Sequence, residues 1–236
     1  MQTLRVGAAL SDPPFNAMPG GGLDVDLMTE IARALGMAVE FVPYDGADFD
    51  GIFDALTAGA YDCVASCVTV TPRREERAAF VPPYLVSGQA LAVAGTRHPS
   101  VRSVDDLAGL TIGVQRGDPG QPIAERLAGE GKAARVRVYD YGAVHTTLRD
   151  LSTGGCDAVI KLAPVLAELV KSVAGVDVVQ RGLSVERIAV AVAPGEREML
   201  TRIGHAQARL EDDGALQRIR RRWLGNPYRD HKLAGL

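Results

Sequence analysis

Short β-rich runs alternate with segments of helical period along most of the chain, and this alternation restricts the fold more than any other feature. Residues 4–9 read as a strand, after which Leu27, Met28, Ile31 and Leu35 fall on one helical face with Gly36 behind them as a stop. A strand over 39–43 follows. Ile52, Phe53 and Leu56 then mark a short helix ending at Gly59, and 62–68 reads as a buried strand. The pattern repeats, with strands over 111–114, 135–139 and 157–160 between helices near Pro122, over 144–151 and over 164–173. Strands near 176–179 and over 188–193 precede two closing helices. The class is α/β, with mostly parallel sheets flanked by helices. At 236 residues, 47% of them apolar, the chain is long enough for one large domain or two small ones.

Local signals sharpen several elements. Thr71 can cap the free amides of a helix that Pro72 opens, because proline is preorganised for the first helical position. Ser103 with Asp106 forms a capping-box pattern ahead of Leu107, and 115–120 is a glycine-containing loop leading into a helix. In the last helix Leu216, Ile219 and Trp223 share an apolar face, and Arg218, Arg220, Arg221 and Arg222 form a solvated one. The segment from Pro19 to Gly22 is a turn-rich tip.

Composition removes several function classes. A net charge of -3, from 26 basic and 29 acidic residues, offers no cationic excess for nucleic acid or an anionic membrane, so no nucleic-acid partner is expected. The apolar run over 188–193 falls far short of the roughly 20 residues that span a bilayer. Cys63, Cys67 and Cys156 are too few for a disulfide framework or a zinc site, and four scattered histidines, His98, His145, His205 and His231, support no metal centre. Nucleotide loops, nucleophile elbows and zinc-helix pairs are missing, so neither a cofactor nor a catalytic residue is expected.

The remaining polar and aromatic residues gather at the ends of strands, where open α/β sheets present ligands. They are Asp12 and Phe15 after the first strand, Phe49 before the second helix, Ser66, Cys67 and Thr69 after the buried strand, and Arg74. An aromatic face suits a ligand's apolar part, a hydroxyl and backbone groups its polar part, and an arginine fork a carboxylate.

At these residues the chain resembles the type II periplasmic solute-binding proteins of ABC importers, in the polar amino acid family. The likeness runs through Leu4-Arg5-Val6-Gly7, Pro13-Pro14-Phe15, Gly22-Leu23-Asp24-Val25-Asp26-Leu27, Thr69-Val70-Thr71-Pro72 with Arg74, Phe80 to Tyr84, Val86 to Ala90, Gly113 to Gly117, Asp157-Ala158-Val159 and Trp223-Leu224-Gly225. It implies a first lobe of 1–87 with 188–236 and a second lobe of 88–187. The two crossovers would lie near 85–91 and 183–188, and the lobes would close by a hinge over a small carboxylate. It also implies a monomer outside the cytoplasm, with its secretory signal absent from this sequence, that delivers its solute to a membrane ABC permease. By position, Phe15 and Phe49 are aromatic walls, Ser66 and Cys67 supply carbonyls, Thr69 binds through hydroxyl and amide, and Arg74 holds the carboxylate.

Four positions depart from the family. Leu162 stands where amino acid binders carry an aspartate for the α-ammonium, and Cys67 replaces a glycine. In the loop 117–120, Asp118 and Pro119 replace hydroxyl residues. Asp118 reads either as the cap of the helix at Pro122 or as a partner for a ligand cation. Lys161 reads as a contact to a second ligand anion or as a solvated or carbonyl-bonded lysine, and Arg116 shares that ambiguity. The rival functions on the same scaffold are an enzyme such as a cyclohexadienyl dehydratase and the sensor domain of a larger receptor.

Overall fold

A computed structural model describes residues 2–9, 12–17 and 20–225. Pro19 in the turn-rich tip and His231 lie outside the described residues. The elements run in the order β1 (Thr3–Ala9), α1 (Leu23–Ala34), β2 (Ala38–Tyr44), α2 (Gly51–Thr57), β3 (Cys63–Val64), α3 (Pro72–Glu75), β4 (Ala79–Phe80), β5 (Leu85–Ser87) and β6 (Gln89–Ala94). They continue as β7 (Thr111–Gln115), α4 (Gly120–Gly129), β8 (Arg135–Tyr139), α5 (Val144–Thr153), β9 (Ala158–Leu162), α6 (Ala163–Val170) and β10 (Val176–Gln180). β11 (Glu186–Ile188), β12 (Ala191–Val192), α7 (Arg197–Asp212) and α8 (Ala215–Leu224) close the described chain.

Two compact units result. Unit 1 takes Asp50–Val86 with the described parts of 1–45 and 186–225, and unit 2 takes Ser87–Val185 together with the short stretch Gly46–Phe49. In unit 1 a sheet of order β2-β1-β3-β12-β4 pairs β1 in parallel with β2 and β3, and β12 antiparallel with β3 and β4. Unit 2 carries a sheet of order β10-β6-β9-β7-β8, parallel from β9 through β7 to β8 and antiparallel from β9 through β6 to β10. Each sheet is therefore half parallel, and its parallel strands need the crossover helices that the sequence shows between them.

Helix α1 starts at Leu23, four residues before Leu27, where Gly22 enters it with φ 154°, and a Cβ there would lie 1.9 Å from the Phe15 carbonyl oxygen. Leu23, Leu27, Met28 and Ile31 are fully buried against the sheet. Thr71 caps α3 by accepting the Arg74 amide at 3.3 Å with Pro72 at its opening, and Ser103 with Asp106 completes a capping box on a 3-10 turn. The unit 2 core gathers Leu91, Val93, Ile112, Val114, Leu127 and Ile160.

Three sequence readings need correction. The strand expected over 62–68 stops at Val64, because the chain turns at Cys67 with φ 42° and leaves the sheet. The single strand expected over 188–193 is two short ones, β11 and β12. Arg220 does not belong to a solvated face. It is 1% exposed, donates from Nε to the Tyr84 carbonyl at 2.7 Å and pairs with Glu211 at 2.8 Å. A buried arginine with a carboxylate and a carbonyl keeps its charge satisfied, which hydropathy periodicity does not register. Trp223 is partly buried and anchors its indole N–H on Asp26 at 2.7 Å.

Candidate functional site

In unit 1 the turn from Thr71 into α3 delivers Arg74 inward, where it is 3% exposed. Its guanidinium is fixed on three sides. Nε donates to Asp50 Oδ1 at 2.9 Å, Nη1 donates to the Thr69 carbonyl at 3.0 Å, and the Phe53 ring lies 5.6 Å below the central carbon. An arginine fork held this way is preorganised for an oxyanion, since little rotamer freedom remains to be lost.

The loop between β3 and α3 carries the other unit 1 candidates. Ser66 Oγ accepts the Ala9 amide at 3.0 Å, which pins the loop to the end of β1. Thr69 is buried, and its hydroxyl donates to Glu186 at 2.7 Å, leaving the hydroxyl oxygen as an acceptor. Cys67 occupies the left-handed region, which costs an L residue about 1–2 kcal/mol. A glycine there would relieve that strain. Cys67→Val is accordingly expected to lose about 1–3 kcal/mol in urea unfolding, with Cys67→Gly within about 1 kcal/mol of the parent. Equal stabilities for the two variants would show that φ at this position does not matter.

Asp12 and Phe15 are fully buried beside this loop. The Asp12 carbonyl accepts the amides of Phe15 and Asn16, and the Phe15 carbonyl accepts the Asp24 amide. Asp24 itself has no exposure. Its Oδ2 accepts the Cys67 amide at 2.7 Å and the Asn16 side chain at 3.3 Å, and its Oδ1 accepts the Tyr84 hydroxyl at 2.5 Å. Burial pushes this carboxyl up to about 6, against the pull of those three donors, and Asp12 adds to the rise.

Unit 2 brings together Phe49, Asp118 and Lys161. Asp118 Oδ1 accepts the amide of Gly120, the first residue of α4, at 2.8 Å, and Oδ2 lies 3.3 Å from Lys161 Nζ. Both partners are buried, Asp118 at 7% exposure and Lys161 at 3%. Lys161 thus does not sit as a solvated lysine. Its ammonium also faces the Tyr141 ring at 5.0 Å, and the Phe49 ring stacks tilted on Tyr141 at 4.7 Å. Gln115 donates to the Tyr141 carbonyl, and the Phe49 amide to the Arg116 carbonyl. Leu162 is buried at the end of β9. Arg116 joins this group through its carbonyl alone, and its side chain is exposed, 3.7 Å from Asp140.

Sequence reasoning missed Asp50, Glu186, Asp24, Tyr84 and Tyr141. Asp50 directly follows Phe49 and Asp24 lies in the quoted run around α1, so adjacency was an available signal. Glu186 and Tyr141 stand among residues of no particular pattern, and only the fold places them. Cys63, Cys67 and Cys156 form no disulfide, and among the described residues no cluster of His, Cys, Asp or Glu could hold a metal. No described helix is long and apolar enough to cross a membrane.

The model of the bacterial extracellular solute-binding proteins, family 3, matches residues 4–226. The L-cystine-binding protein TcyJ of Escherichia coli (strain K12) is 28% identical over 228 residues, covering 94% of this chain and 83% of that protein. Among solved structures, an ancestral arginine-binding protein bound to arginine superposes with a TM-score of 0.86 at 34% identity, covering 95% of this chain and 99% of the other. The ancestral amino acid-binding protein AncCDT-1, a precursor of cyclohexadienyl dehydratase, gives 0.79 at 30% identity over 94% of this chain and 95% of its own. A match that leaves only the extreme ends of the chain uncovered makes this protein a member of the bacterial extracellular solute-binding proteins, family 3.

Proposed function

We propose that this protein captures a small carboxylate-bearing solute outside the cytoplasm and hands it to a membrane ABC permease, without covalent chemistry. The observation that carries this reading is Arg74, a buried guanidinium aligned by Asp50, the Thr69 carbonyl and the Phe53 ring. In this reading Arg74 takes the carboxylate, Thr69 and the carbonyls of Ser66 and Cys67 fix its orientation, and Phe15 and Phe49 pack its apolar part. Asp12, Asp118, Lys161 and Leu162 are further candidate contacts in this reading, and the exposed Arg116 has the least to support it.

The similar proteins carry names for cystine and arginine binding, which favours an amino acid or its derivative. Leu162 and the engaged Asp118 weigh on the other side: an enclosed ammonium needs a compensating charge, and here Asp118 already faces Lys161. Thermal melting with L-arginine, L-cystine, L-histidine, succinate and pyruvate separates the two solute classes. At a hundredfold excess over Kd a solute adds about 2.7 kcal/mol, a rise of roughly 5–10 °C for a chain of this size. Arg74→Lys keeps the charge beside Asp50 but loses the fork, and is expected to weaken the response at least tenfold. If no carboxylate raises the melting point, or if Arg74→Lys responds like the parent, the reading fails. Because AncCDT-1 is described as a precursor of a dehydratase, prephenate is included, and its turnover to phenylpyruvate would replace binding with catalysis.

A further inference from the structure

We propose that Asp24 is a positioning residue for the solute: its buried carboxylate holds the Cys67 amide, sets the backbone of the 66–69 loop and ties that loop to Tyr84. This rests on the reading that the loop holds the solute.

Three elements converge on Asp24. It is the second residue of α1, Cys67 comes from the loop after β3, and Tyr84 stands immediately before β5. Tyr84 is itself immobilised. Its amide donates to the Ile188 carbonyl at 2.9 Å, and its carbonyl accepts Arg220, which is braced by Glu211. A continuous chain of bonds therefore runs from α7 through α8 to the loop. Cys67 adopts the left-handed conformation, which few side chains hold without support, and the support here is a charge-assisted bond at its own amide. Because the Cys67 N–H and the Ser66 carbonyl share one peptide plane, that bond fixes the direction in which the Ser66 carbonyl points. A single neutral acceptor could serve Cys67 alone, but two carboxylate oxygens serve Cys67, Asn16 and Tyr84 together.

The titratable groups facing Asp24 are Tyr84 and, from the segment after β1, Asp12, and the Cys67 thiol in turn faces Tyr84. In mild acid the proton enters at Oδ1, where the Tyr84 hydroxyl can turn to accept, and Oδ2 remains the acceptor for Cys67. The bond to Cys67 weakens from charge-assisted to neutral but is not broken. Asp24→Asn mimics that state, with its amide nitrogen toward Tyr84 and its oxygen toward Cys67. Asp24→Ala removes the acceptor.

The test needs no solute. In ¹⁵N-labelled protein the Cys67 amide resonance is expected to titrate with a midpoint near pH 6, and in Asp24→Asn that titration disappears. In Asp24→Ala, amide exchange over 66–69 is expected to quicken roughly tenfold to hundredfold while β1 and β2 keep their protection, and Asp24→Asn to restore most of it. A Cys67 amide that does not titrate, a titration that survives in Asp24→Asn, or unchanged exchange over 66–69 in a folded Asp24→Ala overturns the proposal. If Asp24→Ala does not fold, the amide titration in the parent and Asp24→Asn decides alone. Failure of the Arg74→Lys melting test is a separate result, because it removes the solute from the loop without touching the bond between Asp24 and Cys67.

Discussion

Arg74→Ala is expected to lower stability by about 3–5 kcal/mol in urea unfolding, because it deprives the buried Asp50 of its partner at 2.9 Å. The Coulomb term is not the whole loss. The Thr69 carbonyl gives up a charge-assisted donor at 3.0 Å, and the Phe53 face gives up a cation. Arg73 lies 4.0 Å from Asp50 but is exposed, so its charge is screened and compensates little. The double variant Arg74→Met with Asp50→Leu is expected to recover most of the loss, since replacing both charges with apolar groups of similar volume removes the desolvation cost as well. A cost under about 1 kcal/mol for Arg74→Ala would mean that water reaches the pair freely. The guanidinium would then lack the fixed geometry on which the carboxylate assignment stands.

The sequence made the order of elements legible because each parallel strand requires a crossover helix, and two periodicities alternating along a chain are hard to mistake. Arg74 was legible for a related reason. Thr71 and Pro72 announce a helix start, and an arginine two residues on is carried by that turn to a defined place. Less legible were features that depend on tertiary pairing. Asp24 and Arg220 are charged residues that helical spacing sets beside apolar stripes, and both are buried with partners the sequence does not announce: Cys67 and Tyr84 for one, Tyr84 and Glu211 for the other. The end of β3 at Val64 was hidden for the opposite reason. The run from Cys63 to Val68 is buried throughout, so its hydropathy says strand, whereas a single left-handed residue turns its second half into a loop. Asp118 could be read as a cap or as a charge partner. One of its oxygens does accept the Gly120 amide at the start of α4, but the other faces Lys161 of this chain, a pair that their distance in sequence left invisible.

Lys161→Met is the corresponding experiment in unit 2, with an expected loss of about 3–5 kcal/mol, because Asp118 would keep its charge in a buried place without the ammonium at 3.3 Å. The Tyr141 face loses its cation in the same step, which adds roughly 0.5–2 kcal/mol at a desolvated site. Asp118→Asn is expected to be milder, since an amide oxygen can still accept from Gly120 while Lys161 keeps the Tyr141 ring. The double variant Lys161→Met with Asp118→Leu is the informative one, because a buried ion pair contributes little net stability over apolar replacements of similar size. If stability were the reason for the pair, the double variant would unfold as readily as Lys161→Met alone. If the double variant instead matches the parent in urea but no longer responds in thermal melting to the carboxylates that stabilise the parent, the pair serves binding. Leu162 would then be explained as well, since a site that supplies its own ammonium has no need of an aspartate for the solute's.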